Sequence, residues 1–211
     1  KQNDPAAAAA AYRPLLASRD SAVRPAALFA VGVAELSNGD PAGAVGDLLA
    51  SGDPRAAAYR VIGLARSGRP GPAAALADSL MARHDSTVVW DSVFAAVGNA
   101  DPELGSALVD RRAVGSDVTP QVRAQWLVDD ARRLLTRDTV RAFLRFAEVD
   151  SLEPGSEPAR QAEAVVHSPH TSGLSSFGRW RRASLRNSSS GNSRHSAHTA
   201  APRTSGEASA S

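Results

Sequence analysis

Cysteine is missing altogether, which rules out disulfides, thiolate metal ligands and a cysteine nucleophile. Aromatic residues are scarce, 5% against a hydrophobic fraction of 43%, so alanine and leucine must supply the packing. Those residues favour helices in close contact over a sheet sandwich. Lysine occurs once, at Lys1, and positive charge is otherwise all arginine. No apolar run approaches the roughly 18 residues of a membrane span, residues 26–34 coming nearest. The motifs of common chemistries are missing too: no G-x-S-x-G elbow, no phosphate loop ending in Lys-Ser/Thr, no G-x-G-x-x-G and no H-E-x-x-H. No catalytic residue, cofactor or metal site is therefore expected.

What is present is unevenly placed. Residues 171–211 hold six arginines and one acid, Glu207; the remaining 18 basic and 21 acidic residues stand before them. The high isoelectric point, 9.6, thus belongs largely to the end of the chain. The alanine and arginine load fits a GC-rich bacterial genome. A first residue other than Met fits a processed form or a fragment, with a signal peptide removed, so cytoplasm and periplasm both remain open.

The most informative stretch is 30–50. An apolar helical face runs up to Leu36, the break Asn38-Gly39-Asp40-Pro41 follows, and Ala44, Val45, Leu48 and Leu49 share a face beyond it. Asp40 suits an N-cap, because its carboxylate accepts from exposed amides of the next turn. Pro41 suits the first helical position, where no amide hydrogen is needed. Weaker copies recur. Asp4-Pro5 opens a helix that Pro14 should kink or end. Ser21 can cap the next, carrying Leu28, Phe29, Val31 and Val33. Asp53-Pro54 should start another, with Val61 and Leu64 along it. The break at 67–72 leads into a helix through Leu76 and Leu80, and Ser86 or Thr87 can cap the one carrying Trp90, Val93, Phe94 and Val97. Asp101-Pro102 starts a further helix, Pro120 opens one through Trp126 and Leu127, and residues 140–149 and 157–166 complete the series.

Aligning the second helix of each hairpin by its start places Asp4, Asp40, Gly71, Asp101 and Asp138 in register, with separations of 36, 31, 30 and 37. Four residues on stand Ala8, Ala44, Ala75, Gly105 and Ala142, all small; Gly32 and Gly63 hold similar places in two first helices. Small side chains there let a partner helix approach closely. This spacing, with the Gly39-Asp40 turn and Leu48, resembles the tetratricopeptide (TPR) repeat, whose period is roughly 34 residues, over about residues 4–150. The resemblance implies an all-α solenoid of about four to five antiparallel hairpins over residues 1–166. It implies a non-catalytic scaffold that takes a protein or peptide in a concave groove lined by first-helix residues Phe29, Val33, Arg60, Asp91 and Arg123. An alternative from another class is the helical-repeat portion of a larger bacterial enzyme, such as a cell-wall lytic transglycosylase.

From His167 the periodicity stops, and the Ser-, Arg- and Gly-rich composition points to a disordered tail over 167–211. The same composition also fits an out-of-frame reading of a GC-rich gene. Within it, Arg179-Trp180-Arg181-Arg182 mixes cations with an aromatic, as single-strand nucleic-acid binders do, and places Ser184 in a basophilic kinase context. Asn187-Ser188-Ser189 is a sequon, and His167/His170 and His195/His198 have metal-compatible spacing without supporting ligands; nucleic-acid and metal binding are not expected. Before the tail, His84 stands alone among histidines, at a helix C-terminus. Asp129 and Asp130 point about 100° apart on a helix, leaving Asp129–Arg133 an ordinary surface pair. Glu103, Asp110, Glu148 and Asp150 are expected on solvated faces, and Trp90 and Trp126 in the core.

Overall fold

Local chemistry sets where each element begins. In this computed structural model, which describes residues 4–167, four aspartates accept the backbone amide three residues on: Asp4 from Ala7, Asp40 from Gly43, Asp101 from Leu104 and Asp138 from Arg141, at 3.0–3.1 Å. They start α1 (Pro5–Tyr12), α3 (Pro41–Ser51), α7 (Pro102–Ala113) and α9 (Thr139–Leu152). Thr119 does the same for α8 (Pro120–Leu134), accepting from Val122 at 3.3 Å. After α1 the chain tightens into a 3-10 helix, Arg13–Ala17, around Pro14.

Four of the remaining starts differ from the sequence expectation, and only that of α10 agrees with it. α2 (Val23–Ser37) is held by Asp20, whose carboxylate accepts from the amides of Ala22 at 2.7 Å and Val23 at 3.3 Å, and Ser21 caps nothing. α4 (Ala56–Arg66) begins two residues after Pro54, because Asp53 closes a turn by accepting from Arg55 at 2.8 Å. α5 (Pro70–Ala82) starts at Pro70, with Arg69 in the cap position. α6 (Trp90–Ala100) starts beyond Ser86 and Thr87, since Asp85 ties down the Thr87 amide and hydroxyl in a turn of its own. α10 (Glu157–Val166) ends the series.

Among the described residues every regular element is helical, and no helix is long and apolar enough to cross a membrane. The readings that fall on 168–211, including the Arg179–Arg182 cluster, Ser184, the Asn187 sequon and the later histidines, lie outside the described residues. The helices belong to one compact unit, Lys1–Val166. Each packs on the next, and α2, α4, α6, α8 and α10 also touch in succession, as do α5 and α7. Every pair in appreciable contact is one or two helices apart.

The core is built from aliphatics and alanine, with Phe94, Leu48, Leu80, Leu108, Leu127 and Leu134 the largest fully buried side chains. Two glycines show how tight the helices lie. A Cβ on Gly32 would fall 2.6 Å from Leu48 Cγ and 3.2 Å from the Ala44 carbonyl oxygen, between α2 and α3. One on Gly105 would fall 2.3 Å from the Gly98 Cα, so α6 and α7 meet backbone to backbone. Gly63 is equally hemmed in, by Val45.

Of the recurrent small positions, Ala44 and Ala142 are fully buried, and Ala8 is half-buried beside the buried Ala9. Ala75 is exposed, contrary to the sequence alignment, and Ala73 is fully buried in its place. The error is one of register. With Arg69 as the cap, Ala73 stands four residues on, as Ala8, Ala44, Gly105 and Ala142 do from theirs, and the cap separations become 36, 29, 32 and 37.

Candidate interaction surface

The five residues that the resemblance nominated for a groove fall on four helices that touch in succession: Phe29 and Val33 on α2, Arg60 on α4, Asp91 on α6 and Arg123 on α8. The structure gathers them into two groups. At the α2–α4 end, the half-buried Phe29 meets Tyr59 edge to face, with ring centroids 5.6 Å apart, and the Arg55 guanidinium lies 4.6 Å over the Phe29 ring. Arg55 is held there by Asp53, to which Nε and Nη2 donate at 3.1 and 2.7 Å. That pairing keeps the Asp53 carboxyl below its ordinary range and the guanidinium above. Val33, one turn along, rests with Phe29 against Leu36, Ala44, Leu48 and Ala56.

The second group surrounds Trp126. Its indole Nε1 donates to the Asp91 carboxylate across α6 and α8. Phe94 meets the Trp126 ring edge to face at 5.2 Å and stacks on Trp90 at 5.7 Å. Arg112 of α7 lies 5.6 Å from the Trp90 centroid and 5.8 Å from that of Trp126 while paired to Asp117, whose carboxyl it holds below the ordinary range. Both tryptophans are buried, whereas Asp91 stays exposed. Arg123, half-buried, donates to Glu148 of α9 at 2.9 Å. Arg60 joins neither group. Its Nε is buried without a hydrogen-bond partner on α4.

Sequence reasoning missed Tyr59 and Arg55 beside Phe29, and Arg112 of α7 beside the two tryptophans. Arginine beside an aromatic is visible in a sequence only when the two are close in the chain, and the contacts of these three residues span 14 to 30 residues. It also missed how the acids pair. Asp130 is 1% exposed; the Ser106 hydroxyl donates to it at 2.8 Å, and it pairs with Arg145 at 3.3 Å and Arg133 at 3.6 Å. The expected Asp129–Arg133 pair is replaced by Asp129–Arg132 at 3.5 Å. Glu103 and Asp110 are exposed, as expected, and pair there with Arg141 and Arg145; Glu148 is half-buried and pairs with both Arg123 and Arg145. Asp150 is half-buried. Burial pulls the Arg145 guanidinium down, but Asp110, Asp130 and Glu148 outweigh it and leave it above its ordinary value.

His84 sits just past α5 with φ 51°, the left-handed region that Gly39 and Gly68 occupy in the corresponding turns after α2 and α4. The Asp85 amide closes that turn on the Leu80 carbonyl at 3.2 Å. A cleft of about 400 Å³ opens beside it, walled by Met81, Trp90, Arg111, Arg112 and Asp117. Its cations are already committed, Arg111 to Asp78 at 2.9 Å and Arg112 to Asp117. Among the described residues no group of three or more His, Asp or Glu is placed to hold a metal ion. No family model, curated protein or solved structure matches the chain.

Proposed function

We propose that the chain is a TPR-like solenoid that acts as a non-catalytic scaffold, taking a peptide or protein segment across the layer formed by α2, α4, α6 and α8. One observation carries the reading: among the described residues, every pair of helices in appreciable contact is one or two apart, with the even-numbered helices touching in succession. Stacked hairpins produce that pattern, and their first helices line the concave side. Cap separations of 36, 29, 32 and 37, scattered about the family's roughly 34, support the repeat. The layer offers Phe29 and Tyr59 as aromatic anchors, Arg55, Arg60 and Arg66 as cations, and Asp91 as an exposed acid. Aromatic and arginine side chains dominate recognition energies, which suits such a surface.

The test is a peptide-display selection on the full chain, followed by titration of the selected peptides. Tyr59→Ala removes an anchor on α4, and Ser92→Trp puts bulk on an exposed position of α6. Each, with its helical circular dichroism intact, is expected to weaken binding by about tenfold or more. Leu49→Ala, on α3, is expected to leave it unchanged. Peptides that bind all three variants equally, or a selection that enriches none, would overturn the reading.

A further inference from the structure

Among the described residues, the arginines inside α-helices divide by position, whereas outside them Arg13 pairs with Glu35 and Arg55 with Asp53. Each of the eight within α7–α10 has a carboxylate partner, from Arg111 with Asp78 to Arg160 with Glu157. The three within α1–α6 are Arg24, Arg60 and Arg66, and among the described residues none of them pairs with a carboxylate. The reason lies in what the early acids do. Asp20, Asp40, Asp53 and Asp85 accept from backbone amides at turns and helix starts, which ties them to the ends of elements. Cations in the middle and last turn of α4 are thereby left without a counter-charge.

One of the three, Arg66, lies on the same stripe of α4 as Tyr59 of the aromatic pair. Arg55, Tyr59, Ile62 and Arg66 follow one another at spacings of four, three and four, so they form one stripe along α4. Tyr59 meets Phe29 of α2 on that stripe, and Arg66 donates to the Leu36 carbonyl of α2 at 3.4 Å, which holds its exposed guanidinium beside the same helix pair. Arg60, half-buried next to Tyr59 in the chain, keeps its Nε without a hydrogen-bond partner. The later helices are more acidic: residues 86–167 hold nine arginines against thirteen acids, whereas residues 4–85 are neutral, with eight arginines against eight acids. Complementary charge orients a partner more than it tightens it, so this gradient sets which end of a bound segment lies where.

We propose that the α2–α4 part of the layer takes an acidic stretch of the partner, a side-chain carboxylate meeting Arg66 and an apolar residue resting on Tyr59. The proposal rests on the scaffold reading above and names the chemistry of its ligand. Arginine meets carboxylates with paired, charge-assisted hydrogen bonds, and an acidic segment supplies what this half of the chain withholds.

The experiment sequences the peptides that the full chain enriches from a random linear library. It then titrates the tightest binder beside a counterpart in which every Asp and Glu is replaced by Asn and Gln, at about 50 mM and about 500 mM salt. Enriched peptides are expected to carry clustered acids. The amide counterpart is expected to bind about tenfold more weakly at low salt, with the difference shrinking at high salt. Arg66→Glu, an exposed change, is expected to weaken the acidic peptide by about tenfold while leaving the amide counterpart nearly unchanged, and Arg66→Lys, which keeps the charge but not the paired hydrogen bonds, to weaken it less than Arg66→Glu does. Enriched peptides that lack acids yet respond to Tyr59→Ala would overturn this proposal and leave the scaffold standing. An amide counterpart that binds as well as the acidic peptide, or Arg66→Glu weakening both equally, would do the same. A library that yields no binder sinks the scaffold reading and this proposal with it.

Discussion

At the scale of single residues, the largest electrostatic commitment is Asp130. Its carboxylate is buried among α7, α8 and α9, and it is tolerable there because Ser106, Arg133 and Arg145 satisfy it. Asp130→Ala leaves Arg145 short of a partner in a site where its side chain is 12% exposed. The expected loss is about 3 kcal/mol in urea unfolding, at the low end for a broken buried pair because Asp110 and Glu148 remain. Glu35 is the opposite case. Burial raises its carboxyl above the ordinary value near 4.5, against the pull of the exposed Arg13, and Oε2 has no hydrogen-bond partner. A carboxyl raised by folding binds its proton more tightly in the native state, so the ionised form weakens the fold at neutral pH. That penalty is relieved as pH falls through the raised value. Glu35→Gln is therefore expected to raise the urea midpoint at pH 7, with the gain shrinking as the measurement is repeated at lower pH and gone below 4.5.

Elements are set by their caps, and the register of α5 shows what a cap controls. Starting at Pro70 turns Ala73 inward, fully buried, and Ala75 outward. Ala73→Leu forces extra methyl groups into a closed interface and is expected to cost about 1–3 kcal/mol, whereas Ala75→Leu should stay within about 0.5 kcal/mol. Paired urea titrations of the two variants distinguish the registers: equal costs, or a reversed order, would place α5 in the register that Gly71 suggested. The same tightness explains why alanine and glycine can replace aromatics here, since Gly98 and Gly105 let two backbones touch where larger side chains would hold the helices apart.

For the whole compact unit, contacts confined to helices one or two apart make stability close to a chain of neighbour terms. A local lesion should then stay local. In native-state hydrogen exchange, Asp130→Ala is expected to speed exchange in α7, α8 and α9 while leaving protection in α2, α3 and α4 largely unchanged. A uniform loss across all helices would instead mark one cooperative core and count against the solenoid.

Helical class, three of the four Asp-Pro starts and most of the small interface positions could be read from the chain alone, because caps and helical periodicity act over three or four residues. Residues such as Asp40, Pro41 and Ala44 carry that information in their immediate neighbours. Which acids are buried, that Arg55 covers Phe29, that Trp126 donates to Asp91 and that Glu103 reaches Arg141 were decided only by tertiary structure. Those facts depend on which helix lies against which, over separations of 15 to 38 residues, and there the local pattern of one helix leaves the identity of its neighbour open.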